Sequence, residues 1–98
     1  MQAMTRLEIR GNMPCISQFF GIAIYMYYND HLPPHFHAEY AGREAMYEIE
    51  TLRVYRGSLP RRSHNMVIEW ADSHRNELME NWSKARQGET LVDIEPLE

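Results

Sequence analysis

At 98 residues, 44% hydrophobic and 11% aromatic, the chain can bury one core and has no room for two. A single cysteine, Cys15, excludes an internal disulfide, and no apolar run approaches the length of a membrane span, so a cytoplasmic protein with no membrane partner is expected. The net charge of −4 argues against general nucleic-acid binding, although the segment 51–68 carries Arg53, Arg56, Arg61 and Arg62 with no acid, while 77–98 holds six acids against Lys84 and Arg86.

Residues 1–12 read as an N-terminal extension, ending in Gly11-Asn12 before Met13-Pro14, and residues 13–98 as a single α+β domain with an acidic C-terminal tail. Strand signals begin at Ile16. The run Ile22 to Tyr28 is rich in β-branched and aromatic residues and predicts a strand, which Asn29-Asp30 and Pro33-Pro34 interrupt because proline cannot donate to a ladder. His35 to Tyr40 restarts it, Ala41-Gly42 marks a hairpin turn, and Glu44 to Glu50 forms the next strand with Ala45, Tyr47 and Ile49 on one face. Arg53 to Arg56 is a short fourth strand. Ser58 as cap and Pro60 in the first turn then predict one long helix to about Gln87, with Val67, Trp70, Ala71, His74, Leu78, Asn81, Trp82 and Ala85 as its apolar stripe and Gly88 as its stop. Leu91, Ile94 and Leu97 in the tail are placed to dock or to hold a partner. The fold class is therefore α+β: a small antiparallel meander of about four strands packed against one long C-terminal helix.

The chemistry concentrates between Asp30 and Tyr40, which hold three of the five histidines. On an extended strand His35, His37 and Glu39 project from one face. Two imidazoles and a carboxylate there suit a divalent ion, with Asp30 or His31 arriving from the turn. Two histidines can equally serve as acid and base in cleaving RNA without a metal. A purely structural reading, rings bonded to the backbone of a turn, stands beside both. His64 is expected to be exposed, His74 to be a packing residue, and Cys15 to be inert. No phosphate-cradling glycine loop, nucleophile elbow, paired Cys-x-x-Cys or helical His-Glu-x-x-His is present.

The segments Met13-Pro14, Ile16-Ser17, Phe19-Phe20-Gly21-Ile22, Met26-Tyr27, Asp30-His31 and Pro33-Pro34-His35-Phe36-His37-Ala38 resemble the small bacterial domain-of-unknown-function family 4160. The likeness continues through Ile49-Glu50, Gly57-Ser58-Leu59-Pro60, Glu69-Trp70-Ala71, His74-Arg75, Glu77-Leu78 and Glu80-Asn81-Trp82, so it spans residues 13 to about 97. It implies one half of a two-gene module encoded beside family 2442, in a toxin–antitoxin layout with an antitoxin-like small protein as partner. It carries over no catalytic residue.

The leading expectation is a toxin-like component acting as a metal-independent ribonuclease on RNA. It has no cofactor, His31, His35 and His37 as catalytic candidates, and Arg43, Arg53 and Arg56 as phosphate-binding ones. The alternatives are a non-catalytic protein-interaction module and a His/carboxylate metal-binding domain, with homo-oligomerisation compatible with each. Convergence of those arginines on the histidine face is what separates the first reading from the others.

Overall fold

Strand β1 (Cys15–Phe19) reverses through Phe20-Gly21 into β2 (Ile22–Tyr25), and both turn residues have left-handed backbones, with φ of 49° and 80°. Residues 13–98 are described by this computed structural model, and the extension read at 1–12 lies outside the described residues. β3 (His35–Tyr40) and β4 (Arg43–Glu48) form the hairpin expected at Ala41-Gly42, whose φ values of 50° and 80° suit the twist of the flanking strands. β5 (Val54–Gly57) completes an antiparallel sheet in the order β1-β2-β3-β4-β5. The meander and the α+β class agree with the sequence reading, but there are five strands, because the early strand signals divide at Phe20-Gly21.

Alternation gives the sheet two different faces. Ile22, Ile24, Phe36, Ala38, Ala45 and Tyr47 enter the core with Ile49 beyond the end of β4, as the period of two predicted for Ala45, Tyr47 and Ile49. Tyr25, His37, Met46 and Arg56 lie side by side on the other face.

The predicted long helix is two: α1 (Arg61–Ser73) and α2 (Arg75–Arg86). Between them His74 has φ −128° and ψ 26°, and its N–H turns back to the Ala71 carbonyl, so the helical ladder stops there. Leu78 N–H donating to the His74 carbonyl starts the next ladder. At the break, Arg75 donates to the carbonyls of Ile49 and Glu50, which ties the corner to the β4–β5 turn. The His74 ring lies 5.5 Å from Trp70 and pairs with Glu77, a packing position as expected. Pro60 is the N-cap of α1 and no side chain caps it; Ser58, the expected cap, instead accepts from Arg43 Nη2 at 3.2 Å.

Trp70 anchors the core, with its ring 5.3 Å from Phe19 and 6.0 Å from Phe36. Its indole N–H donates to the Glu95 carbonyl at 2.7 Å, so the tail is part of the fold. Asn81 holds the tail from α2 through both Val92 backbone groups, at 2.8 and 2.9 Å, and Ile94 N–H donates to the Ile16 carbonyl at 2.8 Å. Among the described residues no helix is long and apolar enough to cross a membrane.

Gly57 is the position least able to accept a side chain. Its φ is +76°, and a Cβ would meet the Glu44 carbonyl oxygen at 2.1 Å, backbone that cannot swing away. Gly57→Ala is expected to cost at least about 2 kcal/mol, read as a lower urea midpoint with unchanged slope.

Tyr47 gives a second test. His64, expected to be exposed, is half-buried and sits 2.9 Å by its Nδ1 from the Tyr47 hydroxyl. Burial pushes the Tyr47 phenol up to about 12 from an ordinary 10.0, so the folded state favours the protonated form. That stabilisation is complete below the unfolded value and is lost as pH rises towards the folded one. Stability should therefore fall between about pH 10 and 12, and Tyr47→Phe should flatten that part of a pH-dependent urea series.

Candidate functional site

β3 places His35 and His37 two residues apart on the face away from Phe36 and Ala38, as the alternation predicts. Both are nevertheless buried, because the segment 26–34 folds back over them. Met26 N–H donates to the Pro14 carbonyl at 3.3 Å, Asn29 N–H to the Ala85 carbonyl of α2 at 3.3 Å, and Ile49 N–H to the Pro34 carbonyl at 3.0 Å. Asn29 turns the chain with φ 55°, a conformation that asparagine tolerates better than most residues. These bonds hold Asp30 above the two rings.

The rings are occupied on both sides. His35 Nδ1 lies 2.7 Å from the Pro33 carbonyl, and its Nε2 lies 2.8 Å from Asp30 Oδ2. His37 Nδ1 lies 2.9 Å from Glu44 Oε2, and its Nε2 lies 3.3 Å from the same Asp30 oxygen. A carbonyl only accepts, so His35 Nδ1 carries a proton and donates it. All four ring nitrogens therefore face oxygen acceptors, whereas two neutral imidazoles bring only two N–H groups. The set is short of two protons: one at His35 Nε2 opposite Asp30, and one at whichever His37 nitrogen, Nδ1 facing Glu44 or Nε2 facing Asp30, is unprotonated. One donor atom from each of Asp30, His35 and His37 lies within 4.8 Å of the others.

Aromatic rings close the surroundings. Tyr27 lies 4.4 Å from His37, Tyr55 meets His35 edge-on at 5.4 Å, and Trp82 of α2 lies 5.3 Å from His35. Tyr27, Tyr55 and Leu32 are among the exposed large hydrophobic residues, so the site opens onto an apolar rim. Burial raises the Asp30 carboxyl, but the His31 amide and the His37 and His35 rings outweigh it and hold the group below its ordinary value. Burial first, and the Asp30 charge second, push the Tyr55 phenol above its ordinary value, so its hydroxyl keeps a proton to donate.

The predicted residues divide. His35 and His37 come together, and His31 stacks on His35 at 5.2 Å with its own side chain 65% exposed. Among the arginines, only Arg56 shares the face of His37, two strands away through Met46 and thus about 10 Å across the sheet. Arg43 stands at the far end of the β3–β4 ladder, about 16 Å along the strand from His35, and takes the side of Ala45 and Tyr47. Arg53 is exposed in the turn before β5, where its N–H donates to Thr51 Oγ1 at 3.2 Å. The arginines therefore do not converge as the ribonuclease reading requires.

Glu44, Tyr55 and Trp82 were not among the residues singled out for chemistry, and Asp30 entered only as a ligand of the metal-binding alternative. Glu44 had a signal: across a hairpin turning at Ala41-Gly42 it pairs with Glu39, diagonal to His37. A cavity of about 430 Å³ lies elsewhere, between β1, the start of α2 and the tail. It gathers no comparable set of convergent donor atoms among the described residues, so the histidine cluster is the better candidate.

A family model described as a domain of unknown function, DUF4160, matches residues 21–83 and so takes in Asp30, both buried histidines, Glu44, Tyr55 and Trp82. The match covers more than half of the chain, which belongs to that family, within a narrower span than the resemblance noted from the sequence. No curated protein and no solved structure matches the chain.

Proposed function

We propose, for this member of a family whose description assigns no activity, that the domain binds a divalent transition-metal ion through Asp30, His35 and His37. One observation carries the reading: all four ring nitrogens of His35 and His37 face oxygen acceptors, and with His37 Nδ1 donating to Glu44 the deficit of two charges falls where both Nε2 atoms meet Asp30. A divalent ion supplies both charges at once. The Nδ1 groups then donate to the Pro33 carbonyl and the Glu44 carboxylate, the outer partners that fix the tautomer and orientation of ligating histidines. Two imidazoles and a carboxylate suit zinc, which binds such donors at about 2.0–2.2 Å. Ligand atoms around a tetrahedral ion of that size stand about 3.3 Å apart. The two imidazoles lie 2.8 and 3.3 Å from the Asp30 oxygen and all three donor atoms lie within 4.8 Å of one another, so the set is near that spacing and binding would shift the Asp30 oxygen from between the rings.

Protein purified without an affinity tag should carry about one equivalent of metal. Zinc added to metal-free protein at a hundred times its dissociation constant should contribute about 2.7 kcal/mol, which for a domain of this size raises Tm by about 10 °C or more. Asp30→Asn keeps the side-chain shape and should abolish both effects. A metal-free parent whose Tm is unmoved by zinc, cobalt, manganese and ferrous iron would overturn the reading.

A second reading keeps the toxin-like component and RNA as substrate, and Arg56 on the face of His37 favours it. Against metal-independent proton transfer by His35 and His37 stands the fact that every nitrogen of both rings already faces a protein oxygen. Growth after induction of the chain alone tests it. Arrest by the parent and by an equally abundant Arg56→Ala variant would remove Arg56 from the cause, whereas arrest by the parent alone, with degraded RNA, would support cleavage at this face. Unimpaired growth with both would remove the toxic role.

A further inference from the structure

His31 stands beside the three converging groups, stacked on His35, but is not among the donor atoms that already lie within 4.8 Å of one another. Its Nδ1 lies 3.1 Å from the Leu32 carbonyl, which only accepts, so that nitrogen donates. Its Nε2 is turned to the remaining Asp30 oxygen, Oδ1, at 3.6 Å. In all three imidazoles Nδ1 faces a protein oxygen, but only His35 and His37 bring Nε2 within hydrogen-bond distance of Asp30; that of His31 stands 3.6 Å from Oδ1, which accepts from the His31 backbone N–H. They differ in freedom. His35 and His37 are fixed by burial within the sheet, whereas the His31 side chain is 65% exposed and is held by ring stacking on His35 and the bond to its neighbour's carbonyl.

From this geometry we infer that His31 is the fourth and exchangeable ligand of the ion held by Asp30, His35 and His37. The inference rests on the metal reading above and specifies how that site is completed and opened. With the ring swung inward the ion has three nitrogens and one carboxylate oxygen, the full tetrahedral complement. With the ring swung out to solvent one position is free, as in sites where three protein ligands leave room for a small molecule. The swing is a side-chain rotation at the surface and disturbs no core contact, so ion entry and release pass by His31 while the buried ligands stay in place. Tyr27 beside His37 and Tyr55 beside His35 are the exposed aromatic residues next to the buried ligands.

Cobalt reports ligand number by its visible absorption. The parent and a His31→Ala variant, each shown to be folded by circular dichroism, are loaded with Co²⁺ and then mixed with a chromophoric chelator. The parent is expected to show the intense bands of a four-coordinate ion. The variant is expected to keep its cobalt with weaker, shifted bands, to release it about tenfold faster or more, and to regain the parent spectrum with added imidazole. A variant that binds cobalt with the parent's spectrum and release rate would overturn the role of His31 while leaving the three-ligand site standing. A parent that takes up no cobalt would overturn the role of His31, and one that also binds none of zinc, manganese and ferrous iron would overturn both.

Discussion

Asp30 is the acceptor on which two buried imidazoles depend. The protein fixes each ring from behind, His35 by the Pro33 carbonyl and His37 by Glu44, so neither can turn to find another partner for its Nε2. Both must resolve their remaining nitrogen against one carboxylate, itself only 13% exposed. Such a group is stable only when its charges balance, and withdrawing one member of a buried ionic set typically costs about 3–5 kcal/mol because the others are left uncompensated. The same contacts hold the segment 26–34 against the sheet. Loop position and ring chemistry are therefore one problem, solved by the same few atoms.

The two faces of the sheet divide the work. Phe36 and Ala38 pack towards Trp70 and the apolar core, while residues one step along the same strand carry the polar cluster. A small domain has little apolar surface to lose, and burying imidazoles spends some of it. The rings recover part of that through their flat surfaces, with Tyr27, Tyr55 and Trp82 against them. The cluster is thus also a second, smaller packed layer, which explains how histidines on the face away from α1 come to be almost fully enclosed.

Much of this was legible in the sequence because strand periodicity is a local property. The alternation of His35, His37 and Glu39, the turn at Ala41-Gly42 and the inward set Ala45, Tyr47 and Ile49 follow from a period of two. The β1–β2 turn was hidden because an aromatic residue, Phe20, takes a left-handed backbone that its side chain gives no reason to expect. The break at His74 was hidden because apolar spacing runs through it unaltered, from Trp70 to Leu78, while the long-range contact made there, Arg75 to the Ile49 and Glu50 carbonyls, leaves no local signal. Arg43 was named with Arg53 and Arg56 as a phosphate-binding candidate, but strand parity and ladder length put it on the other face at the other end. The centrality of Asp30 could not be read locally at all, since it follows from how a loop closes over a strand that comes after it.

The clasp between the tail and β1 has a consequence for how the domain is made. Sheet and helices are complete in the chain by Arg86, yet the Trp70 indole finds its acceptor at Glu95 and the Ile16 carbonyl its donor at Ile94. During synthesis, a nascent chain that has emerged only as far as α2 holds every strand and both helices, but lacks the tail that covers one side of its core and the carbonyl that accepts from its central tryptophan. Final closure therefore waits on a short segment with no regular secondary structure, and the domain finishes folding at the stretch of chain that looks least like part of it.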